Sequence, residues 1–67
     1  MNLSPHFLIK LLQQHGFYYK RANGSHQVFY NPETNITVVV PIHGGRDMKK
    51  GTFLSILKQA GVDVTTL

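Results

Sequence analysis

The first apolar positions recur at helical spacing. In SPHFLIKLLQQHG, Phe7, Leu8, Leu11 and Leu12 lie at i, i+1, i+4 and i+5, with Lys10, Gln13 and Gln14 largely on the other side. This is one apolar face of an α-helix. Ser4 suits the N-cap, Pro5 the first helical position and Gly16 the C′ position, so the pattern predicts a helix over residues 5–15. The period then changes to two. FYYKRA and SHQVFY are strand-forming arms on either side of Asn23-Gly24, a pair that favours a two-residue type I′ turn, which needs positive φ at both central residues. Under that turn Arg21 pairs with His26 and Tyr19 with Val28, and one face carries Phe17, Tyr19, Arg21, His26, Val28 and Tyr30. It is the more apolar face away from the turn and is expected to meet the core, with His26 and Arg21 at its rim. A bulge would slip the register by one and move His26 to the open face.

NPETN is a turn cluster, and ITVVVP is a third strand ended by Pro41. Its run of three valines predicts burial over most of its surface. IHGGRDMKKG reads as a loop. TFLSILKQAG reads as a second helix with Thr52 as N-cap, Gly61 at C′ and an apolar stripe of Phe53, Leu54, Ile56, Leu57 and Ala60. The tail Val62–Leu67 has little helix signal and is expected to be frayed or a short strand; no role is assigned to it. The order α-β-β-β-α predicts a small α+β fold, one domain over residues 1–67, with a three-stranded antiparallel sheet and two helices on one face.

Composition narrows the picture. Sixty-seven residues lie near the lower limit for folding without staples, and the absence of cysteine excludes disulfides and thiolate zinc sites. The apolar runs fall far short of the roughly 20 residues that span a bilayer, and the polar start MNLSPH lacks the apolar core of a signal peptide. A cytoplasmic protein without membrane attachment is expected. The net charge of +4 and pI near 9.8 point to a polyanionic partner, nucleic acid first, or to an acidic protein surface.

The chemistry available is limited. Glu33, Asp47 and Asp63 fall on separate segments, and His6, His15, His26 and His43 form no i, i+4 pair, so neither a metal site nor a cofactor is expected. What remains is histidine in basic company, and that suffices for RNA cleavage. RNA carries its own nucleophile, the 2′-hydroxyl; an imidazole can take its proton and Lys or Arg can hold the phosphoryl oxygens. His26 is the candidate base, with a strand residue capping the core as the plainer alternative. His43 is a candidate second acid–base group or a loop residue. His6 and His15, at the two ends of the first helix, suit capping or surface roles. Lys49 and Lys50 precede a helix start, as a phosphate site shared with its free N–H groups or as solvated charges. Tyr18, Tyr19 and Tyr30 can stack on bases or serve the sheet.

LLQQHGFYYKRANGSHQVF and VVVPIHGGRDMKKGTFLSILKQAG together, in order and over about Phe7 to Gly61, resemble the HicA family, also described as YcfA-like: small toxins of bacterial type II toxin–antitoxin systems. The resemblance implies a double-stranded-RNA-binding-domain-like α-β-β-β-α fold. It also implies a translation-independent mRNA interferase that arrests growth and is neutralised by a cognate HicB antitoxin. The family's functional histidine is that of the Gly-Ser-His motif, here His26 after Gly24 and Ser25. The expected site is therefore His26 as catalytic base, with Lys20, Arg21, Gly24, Ser25, Lys49 and Lys50 on the RNA. A non-catalytic RNA-binding module of the same fold is the alternative.

Overall fold

Helix α1 spans Pro5–Gln14 in the computed structural model, which describes residues 1–66. The Ser4 hydroxyl accepts from the Phe7 N–H at 3.2 Å and Pro5 occupies the first turn, the cap the sequence implies. At the other end the Gly16 N–H donates to Gln13 and the Phe17 N–H to Leu12, at 3.2 and 3.0 Å. This Schellman closure requires left-handed backbone at Gly16, where φ is +91°. The buried residue after the glycine, Phe17, thus enters the core at a fixed angle.

Strands β1 (Tyr18–Asn23), β2 (His26–Asn31) and β3 (Ile36–Pro41) form an antiparallel sheet in sequence order. The hairpin differs from expectation by one residue. Asn23 pairs with His26, so the turn is centred on Gly24-Ser25, and only Gly24 of that pair has positive φ, +60°. That is the requirement of a type II′ turn rather than the type I′ turn of an Asn-Gly centre. A second irregularity follows, because the register shifts between Tyr19 and Arg21 and leaves Lys20 as the extra residue of a β-bulge.

These two shifts reassign the sheet faces. Gln27, Phe29 and Asn31 pair with Val40, Val38 and Ile36, and Phe29, Val38 and Val40 are buried in the core. Directly paired residues share a face, so His26, Val28 and Tyr30 lie on the opposite, open face with Pro41, Val39 and Thr37. The expected core face Phe17, Tyr19, Arg21, His26, Val28, Tyr30 is therefore not a face. The bulge lets Phe17 remain buried and Tyr19 sit edge-on to Phe29, ring centroids 5.9 Å apart, while Arg21 and Asn23 turn outward. His26 and Arg21 are not partners. The valine run also alternates: Val38 and Val40 are buried, but Val39 is 44% exposed.

Helix α2 spans Lys50–Gln59 with Lys49 at the N-cap, so Thr52 lies inside the helix instead of capping it. Met48, buried, donates its N–H to the Leu3 carbonyl at 2.8 Å. This anchor sets the chain so that the helix starts directly after it. The helix ends like α1: the Gly61 and Val62 N–H groups donate to Lys58 and Leu57 at 3.1 and 3.0 Å, with Gly61 at φ +77°. Both helices contact β3 and each other, with Phe7 stacked on Phe53 at 6.1 Å. Leu8, Leu12, Phe17, Phe29, Val38, Val40, Phe53 and Leu57 fill the layer between helices and sheet, each such side chain contributing about 1.5–3 kcal/mol by burial. Buried Asn31 is satisfied, donating to the His15 carbonyl at 3.1 Å and accepting from the Glu33 N–H at 2.9 Å. The tail is neither frayed nor a strand: Val62 is buried and Val64–Thr66 is a 3-10 turn, while Leu67 lies outside the described residues. Within it the Thr65 hydroxyl and N–H donate to Asp63, which lowers that carboxyl below its usual pKa.

Candidate functional site

His26 is the first residue of β2 and is exposed on the open face, between Asn23 of β1 and Pro41 of β3. The hairpin turn holds it there. The Ser25 carbonyl accepts from the Ile42 N–H at 2.7 Å, so the β1–β2 turn is tied to the chain leaving β3. Because β3 is an edge strand flanked by α2, a groove of about 460 Å3 forms beside it, with His26, Val39 and Pro41 on one wall and Gly51, Thr52, Ser55, Ile56 and Gln59 on the other. Pro41 and Thr52 also line an adjoining cavity of about 340 Å3 with His43, Arg46, Asp47, Met48 and Lys49. The two spaces therefore meet at Pro41 and Thr52.

The start of α2 faces this junction. Lys49 makes no side-chain cap bond, so the first-turn N–H groups of the helix have no intrahelical acceptor and keep their affinity for anions. Gly51 adds no side chain here, and a Cβ at that position would meet nothing within 4 Å. Opposite lies a tight turn, His43-Gly44-Gly45-Arg46, closed by the Arg46 N–H donating to the His43 carbonyl at 2.9 Å. Both glycines have positive φ, +53° and +81°, so the turn brings an imidazole and a guanidinium to its two ends.

The sequence-derived residues thus separate into groups. Lys49 and His43 line the cavity that adjoins the His26 groove. Arg21, opposite Val28, shares the open face with His26, and Lys20 reaches that side to place its ammonium 5.4 Å from the Tyr30 ring centroid. Gly24 and Ser25 form the turn that orients His26 and are exposed. Lys50 is exposed and lines neither space. His15 caps α1 instead, donating through Nδ1 to the Leu11 carbonyl at 2.8 Å. Arg46, Ser55 and Gln59 were not singled out by sequence, and Thr52 was singled out only as a helix cap. The Gly-Gly pair between His43 and Arg46 was the available signal for the first, since adjacent glycines mark a turn that joins its flanks. The helix residues gave none, because they meet His26 only through the packing of α2 on β3.

Among the described residues no three of His, Cys, Asp and Glu converge as a metal site, and no helix is long and apolar enough to cross a membrane. The family model described as HicA toxin of bacterial toxin-antitoxin matches residues 7–62. No curated protein matches the chain.

Proposed function

This chain belongs to the HicA toxin family, the toxin half of a bacterial toxin–antitoxin pair, and from that premise we propose that it is a metal-independent endoribonuclease acting on mRNA with His26 as catalytic base. The observation that carries the reading is the position of His26: exposed, fixed between two strand neighbours, and opening onto a groove whose far wall is the face of α2 from Gly51 to Gln59, with the uncapped start of that helix at one end. The imidazole takes the proton of a 2′-hydroxyl, and the freed oxygen attacks the adjacent phosphorus. The bond from phosphorus to the 5′-oxygen breaks, and that oxygen leaves with a proton from His43 or water. The products are a 2′,3′-cyclic phosphate and a 5′-hydroxyl. Charge on the phosphoryl oxygens falls to the α2 N–H groups, Lys49 and Arg46, with Lys20 and Arg21 along the strand. The nucleophile belongs to the substrate, so the step needs no metal-bound water. The partner is a HicB-type antitoxin that closes this groove, and the site of action is the cytoplasm, where mRNA is found.

RNA cleavage in EDTA by this chain and by His26→Ala, with binding assayed in parallel, tests the proposal. Loss of general base catalysis costs about 10²–10⁴-fold in rate, with RNA binding retained. A 5′-phosphate on the product removes the mechanism. Equal binding with no cleavage by either protein leaves an RNA-binding module.

A further inference from the structure

We infer that the open sheet face is a stacking platform for unpaired bases, so that the substrate lies across it as single-stranded RNA with a base on Tyr18. This rests on the ribonuclease reading, because it takes the RNA that His26 acts on and states how the strand lies.

Tyr18 pairs with Tyr30 on the open face and is 66% exposed, and among the described residues its ring stacks on no other aromatic. Tyr30 beside it is immobilised: its hydroxyl donates to Asn35 at 2.7 Å, and the Lys20 ammonium sits over its ring. The bulge at Lys20 puts that cation next to Arg21 on the same side. His26, Val28 and Tyr30 follow one another along β2 on this face, and the rise of a strand separates the first from the last by about 13 Å. A short single strand with its cleaved bond at His26 therefore runs past Arg21 and Lys20 and brings a nearby base to Tyr18. The charged side chains that the strands themselves carry on this side, Lys20 and Arg21, are both cationic.

A duplex cannot use the platform, since its base faces are already stacked, whereas every unpaired base offers a π-face to an aromatic ring. Tyr19 supplies a control within the same strand. It is 56% exposed, yet it packs edge-on against Phe29 on the other face.

The test measures binding of fluorescently labelled RNA, 2′-O-methylated so that it cannot be cleaved, as a single strand and as a duplex of the same sequence. The expected result is tighter binding of the single strand, a roughly tenfold rise in Kd for Tyr18→Ala, recovery with Tyr18→Phe, and no change for Tyr19→Ala. Equal or tighter duplex binding overturns the inference, as does an unchanged Kd for Tyr18→Ala. An unchanged RNA affinity with weakened antitoxin binding overturns it too, and assigns the face to protein docking. Cleavage of unmodified RNA by the unsubstituted chain is scored separately. Its absence removes the ribonuclease reading, while the Tyr18 series still decides the platform.

Discussion

The two faces of the one sheet are built from alternate residues of the same strands and obey different constraints. On the closed face Phe29, Val38 and Val40 are almost wholly inaccessible and pack with residues from both helices. On the open face Arg21, Asn23, His26 and Val39 are exposed, and Tyr30 is half-buried. Apolar burial fixes the first set, because losing it costs the fold. Apart from Val28, which is 5% exposed between its strand neighbours, the second set is free of that demand and can hold an imidazole, two cations and stacking rings. Function therefore sits where stability does not, one residue away along each strand. The face assignment is itself the functional variable, since a shift of one residue would exchange the two sets.

The strongest way to break this comparison is Phe29→Ala. Its ring is 1% exposed, and truncating a buried phenylalanine costs about 3–5 kcal/mol. A chain this small has little more than that in total stability. Denaturation followed by circular dichroism should show a largely unfolded protein. His26→Ala, three residues earlier on the other face, should melt within about 0.5 kcal/mol of the parent, as exposed substitutions do. Equal losses for the two would mean that the faces are not separable.

Much of the closed face was legible. Ser4, Pro5, Gly16 and Gly61 mark helix ends through chemistry that needs no tertiary contact, and the leucine spacing follows from period alone, whereas three valines in a row hid the alternation that leaves Val39 exposed. The faces of the hairpin were not legible, because Asn23-Gly24 and Gly24-Ser25 are both good turn pairs and local preference does not choose between them. Burial of Phe29 chooses, and that is a tertiary fact. A bulge was foreseen as a way for His26 to reach the open face, but its position was hidden, since Tyr18-Tyr19-Lys20-Arg21 gives no signal for which residue is the extra one. Thr52 misled as a cap because the Met48 anchor, which sets the true start, depends on a bond to Leu3 far away in sequence. At the candidate site, His26 stood out through its motif. Arg46, Ser55 and Gln59 did not, because only the packing of α2 beside β3 brings them near it.

The turn offers a smaller perturbation of the comparison. Gly24→Ala places a Cβ at φ +60° where no neighbour obstructs it, so the cost is the backbone conformation alone, about 1–2 kcal/mol. Thermal melts should register that loss. The fold should remain, because the paired valines and Phe29 still dictate which face is closed. Cleavage should fall further than stability does, because Ser25 and His26 take their orientation from this turn.

The smallest expected effect is also the least intuitive. Deleting a residue from the middle of a strand normally turns half of its side chains to the wrong face. Deleting Lys20 should not. Lys20 is the extra residue of the bulge, and without it Tyr19 still pairs with Phe29, Arg21 with Val28, Ala22 with Gln27 and Asn23 with His26. The alternation then becomes regular, with Tyr19 and Ala22 inward and Arg21 and Asn23 outward. Stability should change by less than about 1 kcal/mol, the loss of the exposed cation–π contact with Tyr30 being offset by a repaired ladder. If the melt instead drops by several kcal/mol, the bulge is itself required to bring Phe17 and Phe29 into one core. If stability holds and RNA affinity falls, the bulge serves the open face: it is there to place a cation beside Tyr30, and the closed face merely tolerates it.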